Sequence, residues 1–216
     1  MTYVLGVLGS PREGGNTDML LDAALEGAAE TGATVEKITL CKLNISPCTA
    51  CDGCADGVRC VLDDDMTSLY PKLEEADVII LASHVYFYGV TAQMKAFIDR
   101  AQLCWVQKFV LHYRSKKRKG AFLSVGARIR TDFASAEASA QAFFYTLEAT
   151  PSRKLTFAGF EEKGSIADHP TALSDARLLG RELAQSAGPA RCPVPRRSMG
   201  MPMPGLGQNP PGPEPE

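Results

Sequence analysis

The sequence predicts an α/β domain built on a doubly wound, five-stranded parallel sheet. Two observations lead there. Short apolar runs rich in Val, Ile and Leu recur along the chain: YVLGVLG at 3–9, DVIILAS at 77–83 and AFLSVG at 121–126. Such runs suit strands buried on both faces. Between them stand longer segments with apolar residues at helical spacing. Strands alternating with helices imply right-handed crossovers and helices on both faces of a mainly parallel sheet.

The elements follow in order. A first strand at 3–9 runs into a glycine-containing loop at 10–16. A helix over about 17–30 then carries Met19, Leu20, Leu21, Ala24, Leu25 and Ala28 on one stripe. Residues 34–40 (TVEKITL) alternate like a second strand, and a cysteine-rich loop is inserted after it. A helix at 65–75 opens with the acidic run Asp63-Asp64-Asp65, which suits its N-terminus. Pro71 falls inside it and is expected to kink or shorten it. The third strand is 77–83. A helix at 91–103 follows, with Met94, Phe97, Ile98 and Ala101 on one side. The fourth strand is 121–126, the fourth helix 133–149, the fifth strand 155–160 and the last helix 171–187. The fold class suggests the flavodoxin-like order 2-1-3-4-5. Residues 1–187 make one domain. Residues 188–216 are dense in Pro, Gly and Met and lack periodicity, so they read as a disordered or extended tail.

The chain of 216 residues is long enough for one well-packed domain with an appendage. Hydrophobic content of 45%, charged content of 22% and a net charge of −2 describe a soluble protein with no general pull toward nucleic acid or membranes. No apolar run approaches the roughly 18–20 residues of a membrane span. The N-terminus lacks a basic leader and a small-residue cleavage site, so it is not read as a secretory signal. The expected compartment is the reducing cytoplasm, where clustered cysteines mean metal or redox chemistry rather than disulfides.

Ser10-Pro-Arg-Glu-Gly-Gly-Asn-Thr17 lies between the first strand and the first helix. Ligands of open parallel sheets gather at the carboxyl ends of strands. Glycines allow close backbone approach, and a helix N-terminus offers N–H groups to an anion. Ser10, Asn16 and Thr17 add hydroxyl and amide groups, and Arg12 adds a charge. A phosphomonoester fits this cradle. The plainer alternative is a helix cap at Asn16 or Thr17 with a turn at Gly14-Gly15. Neither the dinucleotide GxGxxG pattern nor the GxxxxGK[ST] loop is present.

His84-Val85-Tyr86-Phe87-Tyr88-Gly89-Val90 follows the third strand. Three adjacent aromatics at a strand end do not all face one core. They suit the walls of a site for a flat ring, or else a plug over the sheet or a subunit contact.

Cys48, Cys51, Cys54 and Cys60 form the spacing C-x2-C-x2-C-x5-C. Three sulfurs lie in tight steps and a longer arm returns the fourth. This suits a [4Fe–4S] cluster with one thiolate per iron, and Gly53 and Gly57 suit the sharp turns. Zinc, or a redox dithiol at Cys51 and Cys54, remain alternatives. Cys41 and Cys104 read as core or near-core residues, and Cys192 falls in the tail. The basic run Ser115–Lys119 reads as a solvated loop, with attraction for an acidic carrier or the extra phosphate of NADPH as the alternative. Asp99 and Arg100 are expected in structural pairs. Met199, Met201 and Met203 are weak evidence for a soft metal. No hydrolase triad is apparent.

GSPREGGNT, the cysteine loop, DDDM, SHVYFYGVTAQMKAFIDR and LSVG together resemble the NAD(P)H-dependent FMN reductase-like flavoproteins, and within them the iron–sulfur flavoproteins. The resemblance implies that Ser10, Arg12, Asn16 and Thr17 hold the FMN phosphate. It implies that Val85, Tyr86, Phe87, Tyr88, Gly89 and Val90 line the flavin ring, with Ser124 and Gly126 bordering the other side. Cys48, Cys51, Cys54 and Cys60 would hold one [4Fe–4S] cluster. The implied activity is an oxidoreductase coupling a ferredoxin-like one-electron donor, or NAD(P)H, to a small-molecule two-electron acceptor. The alternatives are a cluster-free NAD(P)H-dependent FMN or quinone reductase and a flavin-binding redox sensor. A homodimer or homotetramer is expected, with the cluster of one subunit near the flavin of another. No catalytic side chain is assigned. The chain departs from the family at His84, where proline is usual. Histidine adds a titratable group that would bear on flavin potential or proton supply, or that simply points to solvent.

Overall fold

A computed structural model describes residues 1–187. The order along the chain is β1 (Tyr3–Leu8), α1 (Asn16–Ala29), β2 (Thr34–Thr39), α2 (Met66–Glu75), β3 (Val78–His84), α3 (Ala92–Arg100), α4 (Gln102–Trp105), β4 (Arg118–Gly126), α5 (Ala134–Thr146), β5 (Ala149–Ala158) and α6 (Ala172–Ser186). Short 3₁₀ turns at Leu40–Lys42 and Ser165–Asp168 and a π turn at Val106–Val110 complete it. The sheet is parallel throughout, in the order β2-β1-β3-β4-β5. This is the flavodoxin-like arrangement that the sequence predicts. The tail, with Cys192 and the three methionines, lies outside the described residues.

Both faces of the central strands are buried, and the two-residue repeat of a strand sorts their side chains. Leu5 and Val7 of β1, with Ile79 and Leu81 of β3, pack on the α2, α3 and α5 side. Val4 and Leu8, with Val78, Ile80 and Ala82, pack on the α1 and α6 side. Continuous apolar runs follow from this double burial.

Several boundaries differ from expectation for tertiary reasons. Pro71 sits inside α2 without ending it. Burial of Met66, Leu69 and Leu73 against the sheet outweighs the roughly 3 kcal/mol that an interior proline costs. β5 starts at Ala149 and includes Pro151, which an edge strand tolerates. Gly120 faces Pro151 and Ala121 faces Arg153, so Ser152 is an unpaired bulge. α5 accordingly ends at Thr146. The basic run is a solvated loop only in part: Ser115 and Lys117 are exposed, but the run continues into β4. Its Arg118 is buried in β4 and donates to the carbonyls of Glu74 (2.8 Å), Leu147 (2.5 Å) and Lys116 (2.9 Å), while Lys116 pairs with Asp77 at 2.7 Å. These cations collect carbonyls at the ends of α2 and α5, where the helix dipole favours positive charge. Cys41 is exposed on the turn after β2 rather than in the core, its thiol 3.9 Å from the Pro11 carbonyl.

Arg100, at the end of α3, is fully buried and ties the two ends of the cysteine segment together. Its Nη1 donates to the Ser46 carbonyl at 2.9 Å and to Asp64 Oδ2 at 2.5 Å, and Nη2 reaches the Leu62 carbonyl at 3.4 Å. Asp64 Oδ2 also accepts the Ser46 N–H at 2.9 Å, and its Oδ1 accepts that of Met66 at 3.1 Å, at the start of α2. The acidic run therefore contributes chiefly through Asp64. Asp99 pairs instead with Lys95 on the helix surface.

Replacing Asp64 with Ala leaves the Arg100 charge buried without its carboxylate, and urea denaturation should show a loss of about 3–5 kcal/mol at pH 7. Burial pushes the Asp64 carboxyl up, but the hydrogen bond from Arg100 and the Ser46 N–H outweigh it and hold it below its ordinary value. A depressed carboxyl stabilises the fold above its unfolded pKa of about 4, and this contribution disappears as pH falls through the lower folded value. The parent should therefore lose stability below about pH 4 more steeply than Asp64→Asn. Equal acid slopes would count against this role for Asp64.

Candidate functional site

The carboxyl ends of β1, β3 and β4 lie side by side, and the loops that leave them meet there. A buried network of hydroxyls holds these ends in register. Thr91 Oγ1 donates to the Gly9 carbonyl at 2.7 Å, and the Thr91 N–H reaches Ser83 Oγ at 3.0 Å. Ser124 Oγ donates to the Ser83 carbonyl at 2.8 Å. Thr91 also caps α3, accepting the Met94 N–H. Ser83 and Thr91 were not singled out as site residues from the sequence. Their signal was a Ser and a Thr flanking the aromatic loop, one at a strand end and one before a helix.

The loop from Ser10 to Gly15 wraps onto the start of α1. Ser10, Asn16 and Thr17 are all buried, whereas Arg12 is exposed. The Arg12 N–H reaches Ser10 Oγ at 3.3 Å. Gly15 occupies the N-cap position with no side-chain cap, so neither Asn16 nor Thr17 caps the helix. The Asn16 amide is engaged elsewhere. Its Nδ2 donates to the Phe160 and Glu162 carbonyls at 3.1 and 2.8 Å, and its Oδ1 accepts the Ile166 N–H at 3.1 Å. Asn16 thus binds the segment after β5 to the loop, and its side chain is not free for an anion. Asp18 accepts the Gly14 N–H at 2.8 Å and pairs with Lys37 of β2.

The aromatic loop is a tight turn. Tyr86 and Gly89 exchange backbone hydrogen bonds of 3.0 and 2.9 Å. Between them Phe87 and Tyr88 have φ of 47° and 67°. Positive φ at both central residues is normally met by Asn-Gly. Aromatic residues there cost on the order of 1 kcal/mol or more each. Phe87 is fully exposed, Tyr88 largely so, and Tyr86 about half. The three rings do not join the core, whereas Val90 is buried in it. His84 is half-buried with its ring edge-on to Tyr86 at 4.9 Å, so it does not simply point to solvent. Burial, and then the nearby Arg12 charge, lower its pKa. Ser124 and Gly126 are buried, and the Gly126 carbonyl accepts the N–H groups of Gly159 and Phe160. Both act as support for the strand ends rather than through free side chains.

The cysteine segment has no regular secondary structure between Leu43 and Asp65. Ala50, Asp52 and Gly57 take positive φ, so Gly57 makes a left-handed turn, while the other two such positions are Ala50 and Asp52 rather than Gly53. Gln107 Nε2 anchors the loop at the Gly57 carbonyl, 2.7 Å away. Cys51 is exposed; Cys48, Cys54 and Cys60 are partly buried; all are free thiols. Hydrogen bonds from the Gly53 backbone and Thr49 favour the Cys51 thiolate and lower its pKa. Burial raises that of Cys54, and the charges of Cys60, Cys48 and Cys51 add to the rise, so four sulfurs share one neighbourhood. Among the described residues, no three His, Cys, Asp or Glu side chains are gathered closely enough to hold a metal ion. The donor set fits an iron–sulfur cluster in kind, with hydrogen bonds to the Cys51 sulfur, although its sulfurs are neighbours that are not drawn to ligating distance. Cys104 lies apart, partly buried against the core, its thiol pushed up to about 11 by desolvation. Among the described residues no helix is long and apolar enough to cross a membrane.

Comparison with known proteins agrees with this layout. The chain is similar to an iron-sulfur flavoprotein of Methanosarcina thermophila, 42% identical over 123 residues, which are 57% of this chain and 62% of that protein. An iron-sulfur flavoprotein of Archaeoglobus fulgidus is 49% identical over 96 residues, 44% of each chain. The chain thus spans between about two fifths and two thirds of the length of these relatives. Among solved structures, the NAD(P)H:quinone oxidoreductase from Methanothermobacter marburgensis superposes with a TM-score of 0.64 at 16% identity, over 84% of this chain and 98% of that one. At that identity the likeness shows the fold alone. The family model described as NADPH-dependent FMN reductase matches residues 2–162, most of the chain and every loop of the candidate site, so the chain belongs to the NADPH-dependent FMN reductase family.

Proposed function

We propose that the protein is a flavin-dependent oxidoreductase that binds FMN at the carboxyl end of the sheet and one [4Fe–4S] cluster at Cys48, Cys51, Cys54 and Cys60. It would pass electrons between a ferredoxin-like one-electron donor and a small-molecule two-electron acceptor. The observation that carries the FMN part is the meeting of the Ser10–Thr17 loop, the Tyr86–Gly89 turn and the β4 end on one edge of the sheet. Relatives named iron-sulfur flavoproteins support the cluster.

In this reading Ser10, Arg12 and the N–H groups opening α1 receive the phosphate. Tyr86, Phe87, Tyr88 and Gly89 supply the wall of the ring site, while Val85 and Val90 pack against the core behind it. The strained turn holds its aromatic side chains out of the core, where a flat ring can cover them. His84 lies edge-on to Tyr86, and because burial and the nearby Arg12 charge lower its pKa it is chiefly a neutral imidazole at neutral pH. Ser83, Thr91 and Ser124 keep the three loops in register. A bound flavin accepts electrons in pairs or singly, and a cluster accepts them singly. Amide hydrogen bonds at Cys51 favour the thiolate that ligation requires. A homodimer or homotetramer would cover the exposed aromatics.

One observation favours a second reading. The matching family model is described as NADPH-dependent FMN reductase, and a cluster-free enzyme of that kind would take electrons directly from NAD(P)H.

Protein isolated without oxygen should contain one FMN and about four irons and four sulfides per chain. FMN without iron, with rapid anaerobic bleaching by NADPH, would establish the second reading. In iron-free protein Cys51 should be alkylated before Cys54 and Cys104, because it is exposed and its thiolate is favoured. Reconstitution with iron and sulfide should protect Cys48, Cys51, Cys54 and Cys60 while Cys41 keeps reacting, and unchanged labelling would refute their ligation. Changing Phe87-Tyr88 to Asn-Gly should raise stability by about 1 kcal/mol and weaken FMN binding several-fold, measured by urea denaturation and flavin titration. Unaltered FMN affinity would remove the turn from the ring site.

A further inference from the structure

The segment after β5 lies against the phosphate loop, and the side chain of Lys163 crosses it. Gly14 has φ of 61°, and a Cβ built there would stand 3.4 Å from Lys163 Cε and 3.7 Å from its Nζ. We propose that Lys163 is the second cation of the phosphate subsite and that, with Arg12, it makes the chain prefer a flavin bearing a 5′-phosphate to one without. The inference rests on the FMN reading above.

The backbone around Lys163 is held while its ammonium forms no ion pair, although its charge also reaches the Glu13 carboxylate. Asn16 fixes the carbonyls of Phe160 and Glu162 and the N–H of Ile166, and Arg12 Nη1 reaches the Glu161 carbonyl at 3.3 Å. The carboxylates of the loop already have partners. Glu13 pairs with Lys42 and Asp18 with Lys37. Among the described residues neither Arg12 nor Lys163 forms an ion pair, nor do the exposed Glu161 and Glu162 that precede Lys163.

The loop itself offers an anion fewer N–H groups than its glycines suggest. That of Gly14 goes to Asp18 and that of Gly15 to the Arg12 carbonyl at 3.1 Å. A phosphomonoester carries nearly two negative charges at neutral pH. With part of the backbone engaged internally, side-chain cations must balance more of that charge, and Arg12 and Lys163 supply it from two loops far apart in sequence.

The test is flavin fluorescence titration of the full chain, stripped of flavin, with FMN and with riboflavin. Lys163→Ala should weaken FMN binding about tenfold and leave riboflavin binding unchanged, and Lys163→Arg should restore FMN. FMN affinity equal to the parent's in Lys163→Ala overturns the inference. So does an equal loss for both flavins, which would mark a packing role. In either case the FMN reading stands as long as the parent prefers FMN. A parent that binds neither flavin, or both equally, overturns that reading and this inference together.

Discussion

The buried pair of Arg100 and Asp64 is the tie on which the arrangement depends. A guanidinium taken wholly out of water is costly unless carboxylate and carbonyl oxygens surround it. Here they come from both ends of the cysteine segment: Ser46 at one side, Leu62 and Asp64 at the other. Some twenty residues without helix or strand are thereby closed at the base against α3. The same helix begins at Thr91, whose hydroxyl bonds the end of β1. One helix thus connects the cysteine loop, the aromatic turn and the start of the phosphate loop.

Around that tie, strain and polarity are concentrated at one edge of the sheet. Phe87 and Tyr88 hold a turn geometry that glycine and asparagine adopt more easily, and their rings stay in solvent. Burial on both faces of β1, β3 and β4 gives the rigid support that lets the adjacent turn persist. At the amino end of β4 the polar groups serve a different purpose. There Arg118 and Lys116 gather carbonyls from the ends of two helices, and no site residue lies among them.

Much of the candidate site's layout was legible before the structure because it depends on residues that act locally. A strand, a glycine turn and a helix start are one continuous segment, and so are the cysteine spacing and the aromatic run. Roles that depend on distant partners were not legible. Asn16 looked like an anion ligand or a cap, yet its amide is taken up by carbonyls some 145 residues away in sequence. Ser124 looked like a border of the ring site, but its hydroxyl is turned inward to the Ser83 carbonyl. Lys163 carried no signal at all, because its nearness to Gly14 arises only when β5 is laid beside β4.

The sequence by itself determined the fold class, the order of elements and the family, because apolar period and local turn chemistry are written residue by residue. Tertiary structure decided which polar side chains are free to meet a ligand and which are bound inward. A buried hydrogen-bonding group must find a partner wherever the packed chain offers one, and that choice is made across the fold rather than along the chain.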